Sequence, residues 1–301
     1  MCTSPLVGIK FGVDSSSGKW KIKLKRILTF SLKDYWNRYG QENVVLIPCG
    51  KCSECILSHR REWAVRCACE SLNSPLNCFV TLTYDDDHLN LSKFNKDDAI
   101  KFIKSIRNSG FKVRYFGCGE LGSQSLRKHF HIVLFGFMPD DLRYVGDSDS
   151  GEAMFESRFL DALWQKGIVK VQLFSPRVAG YVAGYCNKKF GDDDGFLFMS
   201  RKPGLGAQFL QNNKKVVLKY SKIYGDFGSM NIEAVPRYFK KILEKEGYSF
   251  YMDIMNECKQ NLILSDQFAR ARLHGYQNID QIIFHSRNSN DRKLMKLKRG
   301  L

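Results

Sequence analysis

Two histidines separated by one residue form the pattern with the clearest chemical meaning in this sequence. His129 and His131 lie in a run of aromatic and β-branched residues that is typical of a β-strand. Alternate residues of a strand point to the same face, so the two imidazoles project together and can chelate a divalent cation. Glu120 precedes a short polar stretch, on what we predict to be the paired strand, and adds an oxygen ligand. Two half-exposed histidines without a cation would show the same pattern, and these residues alone leave that alternative open.

Two tyrosines four residues apart form a second pattern with chemical content. Tyr181 and Tyr185 fall on a predicted helix at 176–189, which Ser175 caps, and their spacing places them on one face. A tyrosine hydroxyl can act as a covalent nucleophile, but with a free pKa near ~10 it needs a nearby cation at neutral pH. Two tyrosines packed in a protein core have the same spacing, and the helix alone does not decide between these roles.

Four other residues of the same helix bear on that choice. Lys188 and Lys189 follow the tyrosines on the next turn and would place two ammonium groups beside the nucleophile. Gly180 and Gly184 lack side chains, which predicts a helix surface that DNA can approach closely. Transfer of a phosphate to tyrosine keeps a phosphodiester bond, so a strand cut in this way can be resealed without ATP. The helix is therefore a candidate for cutting and rejoining a nucleic acid strand.

Three cysteines at a constant spacing form a candidate metal site of another kind. Cys49, Cys52 and Cys55 make a CxxCxxC pattern, and His59 and Cys67 are candidates for a fourth ligand. The spacing suits a structural zinc ion or an iron–sulfur cluster. Reduced thiols at a junction between a loop and a helix are the alternative, and the spacing leaves both open.

The charge of the chain indicates a polyanionic partner. The 301 residues carry a formal net charge of +16, and basic residues cluster near both ends. Nucleic acid is the partner expected for such a charge, with lysines that serve only solubility as the alternative. The candidate DNA-binding residues are Lys21, Lys23, Lys25, Arg292, Lys293 and Lys296. No apolar run reaches the ~18 residues that cross a bilayer and the N-terminus does not have the pattern of a signal peptide, so we expect a soluble intracellular protein without a disulfide framework.

The elements that must position these residues alternate between strands and helices, which predicts the α+β class. Strands are predicted at 19–25, 44–47, 78–84, 112–118, 129–137 and 168–174, and helices at 55–72, 96–108, 153–165 and 176–189. From residue 78 the order β-α-β-β-α-β-α is that of a split βαβ fold of the ferredoxin-like type, with a central antiparallel sheet. We expect basic strands and a Cys-rich helix module at 1–74, an endonuclease core at 75–206, and a mainly helical C-terminal region with a basic tail at 207–301.

Taken together, these motifs resemble those of the HUH endonucleases that initiate rolling-circle replication. The resemblance is strongest to the replication initiators of microviruses, small single-stranded DNA bacteriophages, and in particular to the gokushovirus type. Matching segments occur in the order of that family: PCGKC at 48–52, TLTY at 81–84, Cys-Gly-Glu at 118–120, HFH at 129–131, two tyrosines with paired lysines at 181–189, and SRKPG at 200–204. Each segment is short, and it is the ordered set that makes the resemblance specific.

The resemblance implies a role for each matching residue. Glu120, His129 and His131 would hold Mg²⁺ or Mn²⁺, and Tyr181 and Tyr185 would be the nucleophiles. One tyrosine would nick the origin of the double-stranded replicative form and keep the 5′ phosphate, leaving a 3′ hydroxyl for the host polymerase. The other would cut the regenerated origin, so that the displaced strand is joined into a circle. The implied partners are single-stranded and origin DNA with a host helicase and polymerase, in the cytoplasm of an infected bacterium.

Two alternatives to a viral initiator stay open at this point. A plasmid replication initiator or a mobilisation relaxase would use the same chemistry in another biological setting, although a relaxase usually belongs to a chain longer than 301 residues. A non-catalytic DNA-binding protein with a structural metal is the alternative from a different functional class. It predicts that no covalent link to DNA forms.

Overall fold

A computed structural model describes residues 6–15, 20–25, 32–89, 96–121, 127–148, 151–184, 196–220, 222–224 and 232–248. These residues belong to two compact units, which divide between Ser58 and His59. The three segments expected from the sequence, with boundaries after residues 74 and 206, remain a prediction about which parts of the chain fold by themselves. Within the described ranges, no helix is both long and apolar enough to cross a membrane.

The first unit is built on a three-stranded antiparallel sheet. Its strands, in the spatial order β2-β1-β3, are β1 (Leu6–Val13), β2 (Trp20–Lys25) and β3 (Val44–Ile47). Helix α1 (Leu32–Tyr39) contributes Tyr35 to a small apolar core with Val7 and Ile9 of β1. The sequence predicted β2 and β3 from their alternating and β-branched residues, whereas β1 and α1 were not predicted.

The second unit contains a seven-stranded antiparallel sheet. Its strands are β4 (Asn77–Tyr84), β5 (Arg114–Leu121), β6 (Lys128–Phe135), β7 (Arg143–Asp147), β8 (Ala153–Glu156), β9 (Gly167–Leu173) and β10 (Phe196–Met199). They lie in the order β10-β5-β6-β4-β9-β8-β7. The four adjacent strands β5-β6-β4-β9 have the order of the split βαβ plan. The predicted α+β class and the antiparallel central sheet are therefore confirmed.

Helices pack on both faces of this sheet. They are α2 (Ser53–Ser71), α3 (Asp97–Asn108), α4 (Arg158–Trp164) and α5 (Pro176–Gly184). Phe130 of β6 is buried in the core that includes Phe102 of α3, whereas Val133 of the same strand is buried in a second core with Val182 of α5. The alternation of side chains along β6 thus separates a face covered by α3 and α4 from a face covered by α5 and α2.

One predicted helix begins later than expected. The sequence pattern indicated a helix at 153–165, but Ala153–Glu156 is strand β8, which pairs with β7 and β9. Helix α4 begins after Ser157, whose hydroxyl accepts a hydrogen bond from the N–H of Leu160 at 3.2 Å. A short apolar run fits a strand as well as a helix, and here pairing with two neighbouring strands decides.

The described C-terminal part is mainly helical, as predicted, with one added hairpin. Its elements are α6 (Ala207–Tyr220), β11 (Lys222–Tyr224), β12 (Ile232–Ala234) and α7 (Arg237–Lys245). Leu210 of α6 and Phe239 of α7 pack in one core with Val65 and Cys69 of α2. Neither α6 nor the hairpin was predicted, and residues after 248 lie outside the described ranges.

Candidate active site

Strand pairing brings the three predicted metal ligands together. β5 pairs with β6 so that Glu120 lies opposite His129, and β6 pairs with β4 so that His131 lies opposite Thr81. Residues opposite each other in an antiparallel pair have their side chains on the same face. The side chain between the two histidines, Phe130, is fully buried in the core on the other face. The predicted alternation of β6 is confirmed, with both imidazoles on the face that packs against α5.

The carboxylate of Glu120 lies between the two imidazoles. Its Oε1 atom is 2.9 Å from Nε2 of His129 and 3.0 Å from Nε2 of His131. One ligand atom from each of the three residues lies within 4.8 Å of the others. Neighbouring ligands of an octahedral ion with bonds of about 2.1 Å are about 3 Å apart. Both distances from Oε1 therefore suit donors that share one divalent cation, with further positions open to water or phosphate.

Glu120 is ionised in this arrangement. Burial of the side chain would by itself raise its pKa, but hydrogen bonds from His129 and His131, together with their charge, outweigh burial and lower the pKa to about 2. At neutral pH the group is a carboxylate and offers a hard oxygen to a cation.

The second nitrogen of each imidazole has a partner that fixes the orientation of the ring. Nδ1 of His129 lies 3.0 Å from the carbonyl oxygen of Arg127, and Nδ1 of His131 lies 3.1 Å from the hydroxyl of Thr81. A carbonyl oxygen only accepts hydrogen bonds, so Nδ1 of His129 carries a proton. In each ring it is Nε2 that faces Glu120, and such partners commonly orient histidines that bind a metal.

The ring of Tyr181 lies against the histidine pair. Its centroid is 5.3 Å from that of His131, with the planes at 81°. Phe79 stacks on His131 at 5.6 Å and 13°, and meets the edge of Tyr181 at 6.4 Å and 86°. The three aromatic rings thus contact one another, and they place α5 beside the group formed by Glu120 and the two histidines.

Helix α5 is fixed in turn by α2. Nε of Arg60 donates a hydrogen bond to the carbonyl oxygen of Gly180 at 3.2 Å. The guanidinium also fills the space beside Gly184, where an added Cβ would lie 2.9 Å from its Cζ atom, and Ala64 lies 3.8 Å from the corresponding position at Gly180. Side chains of α2 therefore occupy the surface next to both glycines, and the prediction that DNA approaches closely there is wrong.

The other predicted site residues fall into three groups. The Sγ atoms of Cys49, Cys52 and Cys55 lie within 4.8 Å of one another. Lys21 and Lys23 are exposed on β2, and the backbone of Lys25 belongs to the same strand. The residues that lie outside the described ranges are Tyr185, Lys188, Lys189, Arg292, Lys293 and Lys296.

Two of the cysteine-site candidates lie elsewhere. Cys67 is fully buried in the core beneath α5, and His59 belongs to the second unit, where its Nε2 accepts a hydrogen bond from the indole of Trp63 at 3.2 Å. Sequence reasoning also missed the supporting roles of Thr81 and Arg60. Both roles depend on contacts between residues far apart in the chain, and the only signal for Thr81 was its place in the TLTY segment.

Comparison with known proteins points to viral replication proteins. A family described as "Replication-associated protein" matches residues 77–190, a range that includes Glu120, both histidines and Tyr181. The chain is 31% identical over 246 residues to "Replication-associated protein ORF2" of Spiroplasma virus 4, covering 74% of this chain and 76% of the relative.

Two further relatives have similar names. The chain is 30% identical to "Replication-associated protein VP4" of Bdellovibrio phage phiMH2K, covering 77% of this chain and 78% of the relative. It is also 30% identical to "Replication-associated protein ORF4" of Chlamydia phage 1, covering 72% of this chain and 59% of the relative. No solved structure matches the chain.

Replacing Thr81 by valine tests the support of His131. The change keeps the shape of the side chain but removes the hydroxyl next to Nδ1, so the affinity for Mn²⁺ should fall by about 10- to 100-fold in calorimetric titration. Thr83→Val is the matched control, because Thr83 lies on the same face of β4, opposite His129. Within the described residues, Thr83 does not hydrogen-bond to either imidazole. Equal affinities in the two variants would contradict the prediction.

Proposed function

The chain belongs to the family of microvirus replication-associated proteins, and on that basis we propose that it is a DNA-nicking endonuclease that initiates viral replication. One observation carries the proposal: the ring of Tyr181 lies 5.3 Å from that of His131, which belongs to the Glu120–His129–His131 group. A nucleophile and a group of donors suited to a cation are thus adjacent. Phosphoryl transfer to a tyrosine requires both.

The proposed reaction is a transesterification at one phosphodiester of the origin in the double-stranded replicative form. The phenol oxygen of a tyrosine attacks the phosphorus, and a bond to that oxygen forms as the bond between phosphorus and the 3′ oxygen breaks. The phenol loses its proton and the 3′ oxygen gains one. The products are a 5′-phosphotyrosine link and a free 3′ hydroxyl, from which a host polymerase extends the strand.

The side chains of the site divide the work. Glu120, His129 and His131 would hold Mg²⁺ or Mn²⁺, which supplies positive charge to the scissile phosphate. Lys188 and Lys189, one turn beyond the second tyrosine, would stabilise the phenolate. Their ammonium groups, unlike an imidazole, stay charged across the physiological pH range.

Contacts around the site would hold the nucleophile in place. Thr81 and Phe79 orient the ring of His131, and Arg60 holds the backbone of α5 through Gly180. Precise placement matters because a reacting atom displaced by about 1 Å can lower a rate by about 100-fold. In this scheme α5 presents Tyr181 to DNA from a fixed position.

Two tyrosines would allow one protein to complete a circle. The first nucleophile stays occupied by the DNA end that it holds, so the cut that ends a round needs a second hydroxyl. Tyr185, four residues after Tyr181, provides it, and the 3′ hydroxyl released by that cut attacks the first phosphotyrosine. A host helicase would separate the strands during the round, in the cytoplasm of the infected bacterium.

The tyrosine assignment is tested with labelled single-stranded oligonucleotides that tile the viral genome, incubated with Mn²⁺. Tyr181→Phe and Tyr185→Phe should each retain some protein–DNA adduct that survives SDS, and the double variant should form none. Tyr144→Phe, which changes an exposed tyrosine of β7, serves as control and should match the wild type. Peptide mass mapping locates the adduct in each variant. Adduct in the double variant, or on a third residue, would defeat the assignment, and absence of any adduct in wild type would favour a non-catalytic DNA-binding protein.

The cation is expected to matter more for cutting than for binding. His131→Ala removes one donor of the group, so cleavage should fall by at least about 100-fold. Binding to the same oligonucleotide should persist, because lysines and phosphates supply most of it. His88→Ala is the control, since His88 is an exposed histidine in the loop after β4. Cleavage at the wild-type rate by His131→Ala, or by wild type in excess EDTA, would rule out the site.

The exposed lysines of β2 should contribute to the salt dependence of DNA binding. Each phosphate neutralised on a single strand adds about 0.7 to the slope of log affinity against log salt, so the double change Lys21→Ala with Lys23→Ala should reduce the slope by up to about 1.4. Lys101→Ala with Lys104→Ala provides a control with the same loss of charge on α3, which covers the face of the sheet opposite the histidines. Equal slopes for both double variants would show that β2 does not contact DNA.

A further inference from the structure

Three cysteine side chains converge at the start of α2, apart from the site described above. Cys49, Cys52 and Cys55 are half-buried thiols whose Sγ atoms all lie within 4.8 Å of one another. Cys49 follows β3, Cys52 immediately precedes α2 and Cys55 lies in its first turn. All three belong to the first unit.

The turn that joins β3 to α2 directs backbone N–H groups at sulfur. The N–H groups of Lys51 and Cys52 donate to Sγ of Cys49 at 3.4 and 3.3 Å. Gly50 permits this turn with a φ of +74°. The N-terminus of α2 also places the positive end of the helix dipole near Cys52 and Cys55. Both features favour sulfur atoms that carry negative charge, and the thiolate is the form of cysteine that binds metals.

The spacing of the sulfur atoms fits a zinc ion. Zn–S bonds of about 2.3 Å in a tetrahedral site place the sulfur atoms about 3.8 Å apart. Atoms that already lie within 4.8 Å of one another reach that spacing by small rotations of the side chains. Soft thiolates select zinc over Mg²⁺ and Mn²⁺, which prefer oxygen.

The first unit also has a small apolar core. Its buried hydrophobic residues in the described ranges are Val7, Ile9 and Tyr35, with Tyr39 and Val44 packed beside them. Small protein units with little buried apolar surface commonly rely on a metal or on disulfides for stability. In this unit, three thiols at the junction of a strand and a helix could supply that stabilisation.

We propose that Cys49, Cys52 and Cys55 bind one structural zinc ion, which stabilises the first unit. Three thiol protons leave as three S–Zn bonds form, without oxidation or reduction, and water or another donor takes the fourth position. The proposal is independent of the proposed endonuclease activity, because none of the three thiols belongs to the site on the sheet.

The metal content of the full-length protein tests the proposal. Protein purified without strong chelators should contain about one zinc per chain by mass spectrometry, and Cys52→Ser should reduce it to near zero. Cys78→Ala, a change in the core under α3, and His131→Ala should both retain zinc. Loss of zinc from His131→Ala but not from Cys52→Ser would assign the ion to the sheet site and overturn the proposal. So would iron with acid-labile sulfide in place of zinc.

Thiol protection in the wild-type protein gives a second test that does not depend on how a variant folds. In the zinc-loaded protein, Cys49, Cys52 and Cys55 should alkylate slowly, and addition of a strong chelator should expose all three together and lower the temperature at which the first unit unfolds. Cobalt in place of zinc should give sulfur-to-metal charge-transfer absorption. Rapid alkylation of the three cysteines in zinc-loaded protein, or no such absorption, would contradict the proposal.

Discussion

The described site depends on one buried carboxylate that lies between two imidazoles. Glu120 meets His129 and His131 only in the register that places Glu120 opposite His129, because a slip of one residue turns every side chain of a strand to the other face. Loss of the two rings would leave Glu120 as a buried charge without compensation, which is strongly unfavourable. On the opposite face, Phe130 fills the core and would have to exchange places with a histidine. Apolar packing and charge pairing therefore enforce the same register.

Helix α2 transmits that order to the rest of the second unit. The buried Glu70 accepts a hydrogen bond from the N–H of Gly206 at 2.6 Å and pairs with Arg114 of β5. One turn earlier, Nε of Arg66 donates to a carbonyl of the same loop, and two turns earlier still Arg60 holds α5. Charged groups at these depths are stable only with such partners. Successive turns of one helix thus tie the tyrosine helix, the sheet and the loop before α6 together.

Local patterns predicted the elements of the site well, and long-range contacts account for what was missed. The alternation around His131 and the polar stretch after Glu120 were enough to predict the strand pair, because a hairpin joins neighbours in sequence. The glycines of α5 were assigned to DNA because nothing local indicates that Arg60, about 120 residues away, packs against them. Residues 153–156 were assigned to a helix because four apolar-rich residues have no period of their own, and their strand exists only through its partners. The contact of Thr81 with His131 needs the register of β4 on β6, which spacing along the chain does not reveal.

The two candidate metal groups differ in chemistry in a way that would keep their ions separate. The group on the sheet offers one carboxylate oxygen and two imidazole nitrogens, with room for phosphate oxygens, and a cation that must bind and release DNA benefits from such an open, exchangeable site. The group at the start of α2 offers three sulfur atoms, which hold zinc tightly and bind Mg²⁺ poorly. An ion that stabilises a fold gains from slow exchange, whereas one that polarises a scissile phosphate does not require it. Because imidazole also binds zinc, the sulfur site has to be the stronger of the two for zinc, and three thiolates against two imidazoles and a carboxylate give it that advantage.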